Sequence, residues 1–197
     1  MRVSIKSVIF VMVDIQEKFK KHISDIDKLV KNVNMLNKFS EIMELPLLVT
    51  EQYPEGLGKT LDSIYLPAGY HLFTKNRFSI FEPHIEDHLD LLQDERRFLI
   101  IREDDIIKKH LVFYGIETHV CIIQSVLEAL EKNYKPIVVA DAVSSISGFD
   151  HDIALDRIKK EGATIVSTEM LLFELLRGSF HPHFKEVSRL VKDNKTG

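Results

Sequence analysis

The chain has 197 residues, of which 45% are hydrophobic, so it is long and apolar enough to bury a full core. Its formal net charge of −4 argues against a nucleic-acid surface as the main partner. The single cysteine excludes an internal disulfide and favours a reducing, cytoplasmic location. The first apolar run is interrupted by Asp14, too early for a signal peptide or a membrane span. We expect one domain over residues 1–197, with a polar tail from about residue 192.

Short β-branched and aromatic runs alternate with segments of helical periodicity. The continuous apolar run at 7–13 is typical of a strand that is buried on both faces of a parallel sheet. Further strands are predicted at 46–50, 70–74, 110–114, 136–140 and 164–167, with 97–102 as another candidate. Helices are predicted at 25–44, 83–92, 150–161 and 168–177, and from Gly115 to about residue 133. This alternation predicts an α/β protein with three α/β/α layers around a mostly parallel, six-stranded Rossmann-like sheet.

Reactive side chains follow several of the predicted strands. They are Asp14, Thr50 with Glu51, Lys75, the segment 117–121, and Asp141. Since ligands bind beyond the carboxyl ends of parallel strands, an acid, a lysine and a cysteine are expected on one rim. An acid can take the proton of a thiol, and a cation favours the thiolate. Taken singly, Asp14 could be a turn residue and Lys75 a surface lysine.

Cys121 is the candidate nucleophile because it lies in the first turn of a predicted helix. The free N–H groups and the positive dipole end of a helix stabilise an anion there. A lone cysteine is more often a small buried apolar residue than a nucleophile. Helical spacing, however, groups Cys121 with Gln124, Ser125 and Glu128, on the polar face. We therefore expect Cys121 to lie off the core face and to be reactive.

His84 and His88 are four residues apart on a predicted helix and could share a metal ion. The acidic ligand pattern of a zinc-binding helix is missing, so a solvated helix face is favoured. Because this ligand pattern is missing, the sequence predicts no metal site at His84 and His88.

Three motifs in order resemble those of the isochorismatase-like cysteine hydrolases. They are DIQEKF at 14–19, FTKNRFSIF at 73–81 and GIETHVC at 115–121. A further segment, TEQYPEGLG at 50–58, is similar to a loop of the subgroup called isochorismatase domain-containing proteins. The similarity extends over roughly residues 7–176.

The resemblance implies a three-layer α/β/α fold and a catalytic triad of Asp14, Lys75 and Cys121. It implies a non-proline cis peptide bond between Ile116 and Glu117. It also implies an oxyanion hole formed by the backbone N–H groups of Glu117 and Cys121. Members of the family usually form dimers or larger closed oligomers, and we expect a homo-oligomer with a contact near residues 173–184.

The function implied is metal-independent hydrolysis of a C–N amide bond in a small molecule through a thioester, without a cofactor. Nicotinamidases of the superfamily carry a metal-binding motif with histidine after the second strand, and residues 50–56 contain no histidine. One alternative is hydrolysis of an isochorismate-like ether, for which Arg77 is the only obvious cationic anchor near the rim. Another is a non-catalytic scaffold that keeps the fold, against which a complete triad argues.

Residues in or close to these motifs are expected to form the walls of the substrate pocket. They are Phe19, Tyr53, Phe78, Glu117 and His119. These side chains suggest a small, partly aromatic or apolar ligand. The expected partner is therefore a small-molecule substrate, with no nucleic acid and no membrane.

Overall fold

The apolar runs of the sequence form one sheet in the computed structural model, which describes residues 3–97 and 110–196. Within these ranges the sheet has six strands, and all neighbouring strands pair in parallel. The strands are β1 (Val8–Val13), β2 (Leu47–Gln52), β3 (His71–Lys75), β4 (His110–Ile116), β5 (Lys135–Ser144) and β6 (Thr164–Val166). The helices are α1 (Ile26–Ile42), α2 (Pro54–Leu57), α3 (Pro83–Arg97), α4 (Ile123–Glu131), α5 (Gly148–Lys160), α6 (Thr168–Leu176) and α7 (Phe184–Thr196). The predicted fold class is confirmed, with a sheet that is wholly parallel.

Helices cover both faces of the sheet and give the fold three layers. Helix α1 packs against α6 and α7 on one face, whereas α4 packs against α5 on the other. An ion pair of 2.9 Å between Lys132 and Glu86 brings α3 next to the end of α4. The strand order is β3-β2-β1-β4-β5-β6, so the direction of the connections reverses between β1 and β4. In such sheets this reversal opens a crevice beyond the carboxyl ends of the strands.

The two strands at the reversal are buried along their whole length. Every residue of β1 and of β4 is buried, which explains their largely apolar sequences. The ring of Phe10 on β1 packs against Phe39 of α1 and Tyr114 of β4, with centroids 6.2 and 6.1 Å away. A buried side chain of this size contributes about 1.5–3 kcal/mol of hydrophobic stabilisation. The ends of β1 and β4 are therefore anchored in the core.

Some elements differ from their predicted limits. Strand β5 continues to Ser144 instead of ending at residue 140, so Asp141 lies within the strand. The segment after β2, predicted as a loop, contains the short helix α2. The polar tail expected from about residue 192 belongs to α7, a helix that the sequence did not predict. The candidate strand at 97–102 lies outside the described residues from 98 on, and Arg97 ends α3.

Gly115 allows β4 to approach β1 closely at the crevice. It lies opposite Val13 in the register of the two strands, and its φ is +121°. Residues with a side chain rarely adopt this conformation. A Cβ atom at this position would also overlap the main chain of Val13, the residue before Asp14. Both the backbone conformation and the close approach require glycine here.

We expect Gly115→Ala to lower the free energy of unfolding by roughly 2–4 kcal/mol, because strain and overlap both raise the energy of the native state. Urea unfolding measures this change. Gly148→Ala is the matched control, since Gly148 begins α5 and a Cβ there meets no atom within 4 Å. Equal unfolding midpoints for the two variants would contradict this reading of Gly115.

Candidate active site

Three side chains from different strand ends meet at the crevice. Asp14 follows β1, Lys75 ends β3, and Cys121 lies after β4. Lys75 Nζ is 2.7 Å from Asp14 Oδ2, and the two side chains are 0% and 2% exposed. The charge of the Asp14 carboxylate acts on the Cys121 thiol and raises its pKa. The structure thus brings together the three residues that the sequence proposes as a triad.

Asp14 is oriented by its backbone and by contacts to both carboxylate oxygens. Its φ of +53° turns the chain out of the sheet, while its N–H still donates to Thr50 O at 3.1 Å. Thr50 Oγ1 donates to Asp14 Oδ1 at 2.7 Å, and Lys75 pairs with Oδ2. The carboxylate is therefore held in one direction, as a proton acceptor for a neighbouring thiol must be.

The ammonium of Lys75 is enclosed by oxygen atoms. In addition to Asp14, it donates to Gln52 Oε1 at 2.7 Å. The carbonyl oxygens of Phe78 and Arg77 lie 3.0 and 3.2 Å from Nζ. Four acceptors thus share three N–H groups, and no donor is left over for a substrate. This shell replaces the water that a buried ammonium loses.

Cys121 lies in a wide helical turn that precedes α4. Residues Thr118–Ile122 form a π-helical turn, a distortion that is common at functional sites. The N–H groups of Val120 and Ile122 both lie 3.1 Å from the carbonyl oxygen of Glu117. Cys121 is only 7% exposed, so the expectation that it lies off the core face is wrong. Ser125, one turn further on, is also buried and donates to Cys121 O at 2.6 Å.

The peptide bond between Ile116 and Glu117 is cis, as the resemblance implies. The backbone of Glu117 lowers the pKa of the Cys121 thiol, as an N–H group directed towards the sulfur does. A carbonyl group attacked by the sulfur would lie close to the same N–H. The assignment of Glu117 and Cys121 as oxyanion donors stays a prediction that this geometry supports.

The electrostatic surroundings of Cys121 disfavour a resting thiolate. Burial raises the pKa of the Cys121 thiol from 9.0 to about 12, and the charge of Asp14 raises it too. The charge of Lys75 and the backbone hydrogen bond from Glu117 lower this pKa, but by less. At neutral pH the thiolate fraction is then on the order of one in 10⁵. The expectation that Lys75 and a helix terminus favour the thiolate stays a prediction: the charge of Lys75 lowers the pKa, but burial and the charge of Asp14 raise it by more.

Three consecutive residues of the cysteine motif are tied to the segment formed by the β5–α5 connection and the first turn of α5. The side chains of Glu117, Thr118 and His119 each make one hydrogen bond to it. Their respective partners are Ile146 N at 2.8 Å, His151 Nδ1 at 2.9 Å and Ser145 Oγ at 3.0 Å. Burial lowers the pKa of His151 below its usual range, which favours the neutral imidazole. Sequence reasoning missed His151, because its partner Thr118 lies 33 residues away and no local pattern links the two.

Two acids from the predicted rim have structural roles instead. Glu51 Oε1 accepts from the N–H of Thr60 at 2.7 Å and from its hydroxyl at 2.9 Å, which closes the loop after β2. Asp141 Oδ1 accepts from the N–H of Thr168 at 2.7 Å and from its hydroxyl at 2.8 Å. Asp141 thereby satisfies an N–H group in the first turn of α6. Neither carboxylate belongs to the triad.

The predicted wall residues follow four different strands towards the crevice. Phe19 comes after β1, Tyr53 after β2, Phe78 after β3 and His119 after β4. Tyr53 and Phe78 are 54% and 51% exposed, while Phe19 and His119 are half-buried. Exposed aromatic rings at a crevice are available to an apolar ligand, so a substrate-binding role stays a prediction for them.

Within residues 3–97 and 110–196, no group of three or more histidine, cysteine, aspartate or glutamate side chains is arranged to hold a metal ion. His84 instead contacts the carbonyl of Thr74 at 3.1 Å, and His88 stacks on His71 with ring centroids 4.3 Å apart. No helix in the same ranges is long and apolar enough to cross a membrane.

Comparisons with known proteins agree on one family. A family model described as "Isochorismatase domain" matches residues 8–170. Isochorismatase domain-containing protein 2 of Xenopus laevis is 34% identical over 188 residues, covering 95% of this chain and 85% of the relative. The secreted isochorismatase effector Isc1 of Phytophthora sojae is 33% identical over 192 residues, covering 95% and 85%. The solved structure of the MAR1 ribonuclease from Caenorhabditis elegans aligns with a TM-score of 0.86 and 32% identity, covering 98% of this chain and 93% of that one.

We expect iodoacetamide to alkylate Cys121 more slowly near neutral pH than it alkylates a free thiol. The rate should rise about tenfold per pH unit from about pH 7 to pH 10, because the pKa of the thiol is about 12 and the thiolate is the reacting form. Asp14→Asn removes a charge that raises this pKa, so its rate at any of these pH values should be about tenfold higher or more. A plateau near pH 8 in the unsubstituted protein would contradict the neutral thiol.

Proposed function

Because this chain belongs to the isochorismatase family, we propose that it is a metal-independent cysteine hydrolase that cleaves a C–N amide bond of a small molecule. The observation that carries the proposal is the buried thiol of Cys121, on which the charge of an Asp14 carboxylate acts, while that carboxylate is itself paired with Lys75. A nucleophile with an adjacent base, and a third group orienting that base, is the arrangement that covalent acyl transfer requires.

The first step transfers the thiol proton as the carbon–sulfur bond forms. Since the resting thiol is neutral, Asp14 takes its proton while Cys121 Sγ attacks the carbonyl carbon of the substrate. The carbonyl π electrons move onto its oxygen, giving a tetrahedral intermediate. The backbone N–H groups of Glu117 and Cys121 stabilise that oxyanion, a contribution typically of about 3–4 kcal/mol for one donor.

The second step releases the amine. Asp14, now a neutral acid, donates its proton to the leaving nitrogen as the carbon–nitrogen bond breaks and the carbonyl re-forms. The products of this step are a free amine, a thioester on Cys121 and an ionised Asp14.

Hydrolysis of the thioester restores the enzyme. Asp14 takes a proton from a water molecule, whose oxygen attacks the thioester carbon. Collapse of the second tetrahedral intermediate breaks the carbon–sulfur bond, and Asp14 returns its proton to the leaving sulfur. The acid is released and Cys121 is a neutral thiol again.

Lys75 acts through Asp14 in this scheme. Its ammonium has no unshared N–H for a substrate, and it lowers the free energy of the ionised base. When Asp14 is protonated in the intermediates, the remaining three acceptors continue to hold the ammonium in place. The base therefore returns to the same geometry after each proton transfer.

The contacts of Arg77 disfavour the ether-hydrolase alternative. Its guanidinium donates to the Phe81 carbonyl and pairs with Glu128 at 3.1 Å on α4. A dicarboxylate substrate would have to break this pair or find an N–H on Lys75, whose N–H groups are all engaged. A neutral amide needs neither.

The buried ion pair also disfavours a purely structural role. Removing two charges from water costs several kcal/mol per ion, and apolar replacements of similar volume are often neutral or stabilising. A scaffold would gain nothing from keeping the Lys75–Asp14 pair in contact with a lone thiol, whereas a hydrolase needs all three groups.

We expect a screen of small neutral amides to give turnover that Cys121→Ala abolishes, because the variant cannot form the thioester. Cys121→Ser should fall by a factor on the order of 10³ or more, since Asp14 is a weak base for an alcohol. Quenched reactions analysed by mass spectrometry would show the acyl adduct on the unsubstituted enzyme only. An RNA oligonucleotide belongs in the same screen, given the name of the related nematode structure.

The control is Ser147→Ala, which removes the cap of α5 outside the triad and should leave turnover within about twofold. Turnover of an amide by Cys121→Ala at the rate of this control would contradict nucleophilic catalysis. RNA cleavage without amide turnover would contradict the assigned substrate class.

A further inference from the structure

We propose that Gln52 is a positioning residue for this site: its side-chain oxygen fixes the Lys75 ammonium and, through it, the direction of the Asp14 carboxylate. The inference rests on the proposed function, because it assigns Gln52 a part in the proton transfer from Cys121. Gln52 lies outside all three motifs that surround the triad residues.

The register of the sheet places Gln52 beside Lys75. The two residues pair directly across β2 and β3, where each is the last residue of its strand. Lys75 Nζ lies 2.7 Å from Gln52 Oε1, the same distance as from Asp14 Oδ2. The backbone carbonyls that complete the shell are farther away, at 3.0 and 3.2 Å. Gln52 is therefore the nearest neutral acceptor of the ammonium.

The carboxamide of Gln52 is oriented by its second contact. Its Nε2 donates to the carbonyl oxygen of Asn76 at 2.8 Å, so the oxygen must face the ammonium. One side chain thus joins the end of β2 both to Lys75 and to the turn that follows it. The same turn supplies the Arg77 and Phe78 carbonyls of the lysine shell.

Gln16 binds the backbone of Gln52 on the side of β2 that faces β1, beyond the last paired residues of these two strands. The positive φ of Asp14 turns the β1 chain away after Val13, which leaves β2 without a backbone partner on that side. Gln16 fills the gap with its side chain: Oε1 accepts from Gln52 N at 2.9 Å, and Nε2 donates to Gln52 O at 3.0 Å. Gln16 is 0% exposed, so this clamp is shielded from water. A strand end, which usually frays, is therefore rigid at Gln52.

The side chain of Gln52 is neutral, so it binds Lys75 without adding a second negative charge beside that of Asp14. Around Cys121, the charged groups that act on the thiol are Asp14, which raises its pKa, and Lys75, which lowers it. A carboxylate in place of the Gln52 amide would add a second anion to the same ammonium. It would compete with Asp14 for Lys75 and would weaken the effect of the lysine on the thiol.

The test is the pH dependence of Cys121 alkylation by iodoacetamide in Gln52→Glu and Gln52→Met. We expect Gln52→Glu to react about tenfold more slowly at each pH between about 8 and 10, a displacement of its profile by about one unit to higher pH. Gln52→Met keeps the length but removes the acceptor, so its rate should fall about threefold. Asn133→Asp is the matched control, because Asn133 is exposed beyond the C-terminal end of α4, twelve residues after Cys121, and makes the same charge change. Its rate should stay within about twofold.

Equal alkylation profiles for Gln52→Met, Asn133→Asp and the unsubstituted protein would overturn the inference, even if Gln52→Glu failed to fold. A rate increase in either Gln52 variant would overturn it as well.

A second measurement uses any amide that the enzyme turns over. Gln52→Met should lower kcat about tenfold and leave KM within about twofold. Loss of structure alone would lower the active fraction of the enzyme without moving the pH profile of alkylation. Alkylation needs no substrate, so failure to find an amide substrate would refute the proposed function and leave this test intact.

Discussion

The buried ion pair between Lys75 and Asp14 is the constraint on which the site depends. Two charges without access to water are stable only if their remaining hydrogen-bonding groups are satisfied. Thr50 and Gln52 at the end of β2, and the turn after β3, provide those contacts. The order β3-β2-β1 makes this possible, since it lines up three strand ends within reach of one ammonium. Sheet topology thus determines where the charge pair can exist.

The same pair determines the chemistry of the thiol. An ionised carboxylate next to a buried sulfur opposes a second negative charge, which is why the pKa of Cys121 is raised and not lowered. Cysteine hydrolases that keep an imidazolium–thiolate pair store the nucleophile in its reactive form. Here the raised pKa leaves the proton on the sulfur, next to an ionised carboxylate. In the mechanism that we propose, the thiol loses this proton only when a substrate carbonyl occupies the crevice.

Much of the fold follows from the sequence because apolar strands and periodic helices are local signals. The rim of strand-end residues was also predictable, but the roles of its acids were not. Asp14, Glu51 and Asp141 are all acidic and share one expected location. The hydroxyl groups of Thr60 and Thr168 bind Glu51 and Asp141, and neither threonine is adjacent in sequence to the acid that it binds. The exposure of Cys121 was mispredicted because regular helical spacing was assumed, whereas the π-helical turn rotates the residue inward.

The four oxygen atoms that surround the Lys75 ammonium have a consequence for the design of inhibitors. An acid-bearing compound would bring an anion next to Asp14 and find no spare N–H on the lysine. A neutral electrophile such as an aldehyde or a nitrile can bond to the sulfur while the thiol proton passes through Asp14 to the oxygen or nitrogen of the electrophile, which leaves Asp14 ionised beside Lys75. The adduct then keeps the net charge of the resting crevice, so no uncompensated ion has to be buried. Selective covalent ligands for this protein should therefore be uncharged at the reacting end.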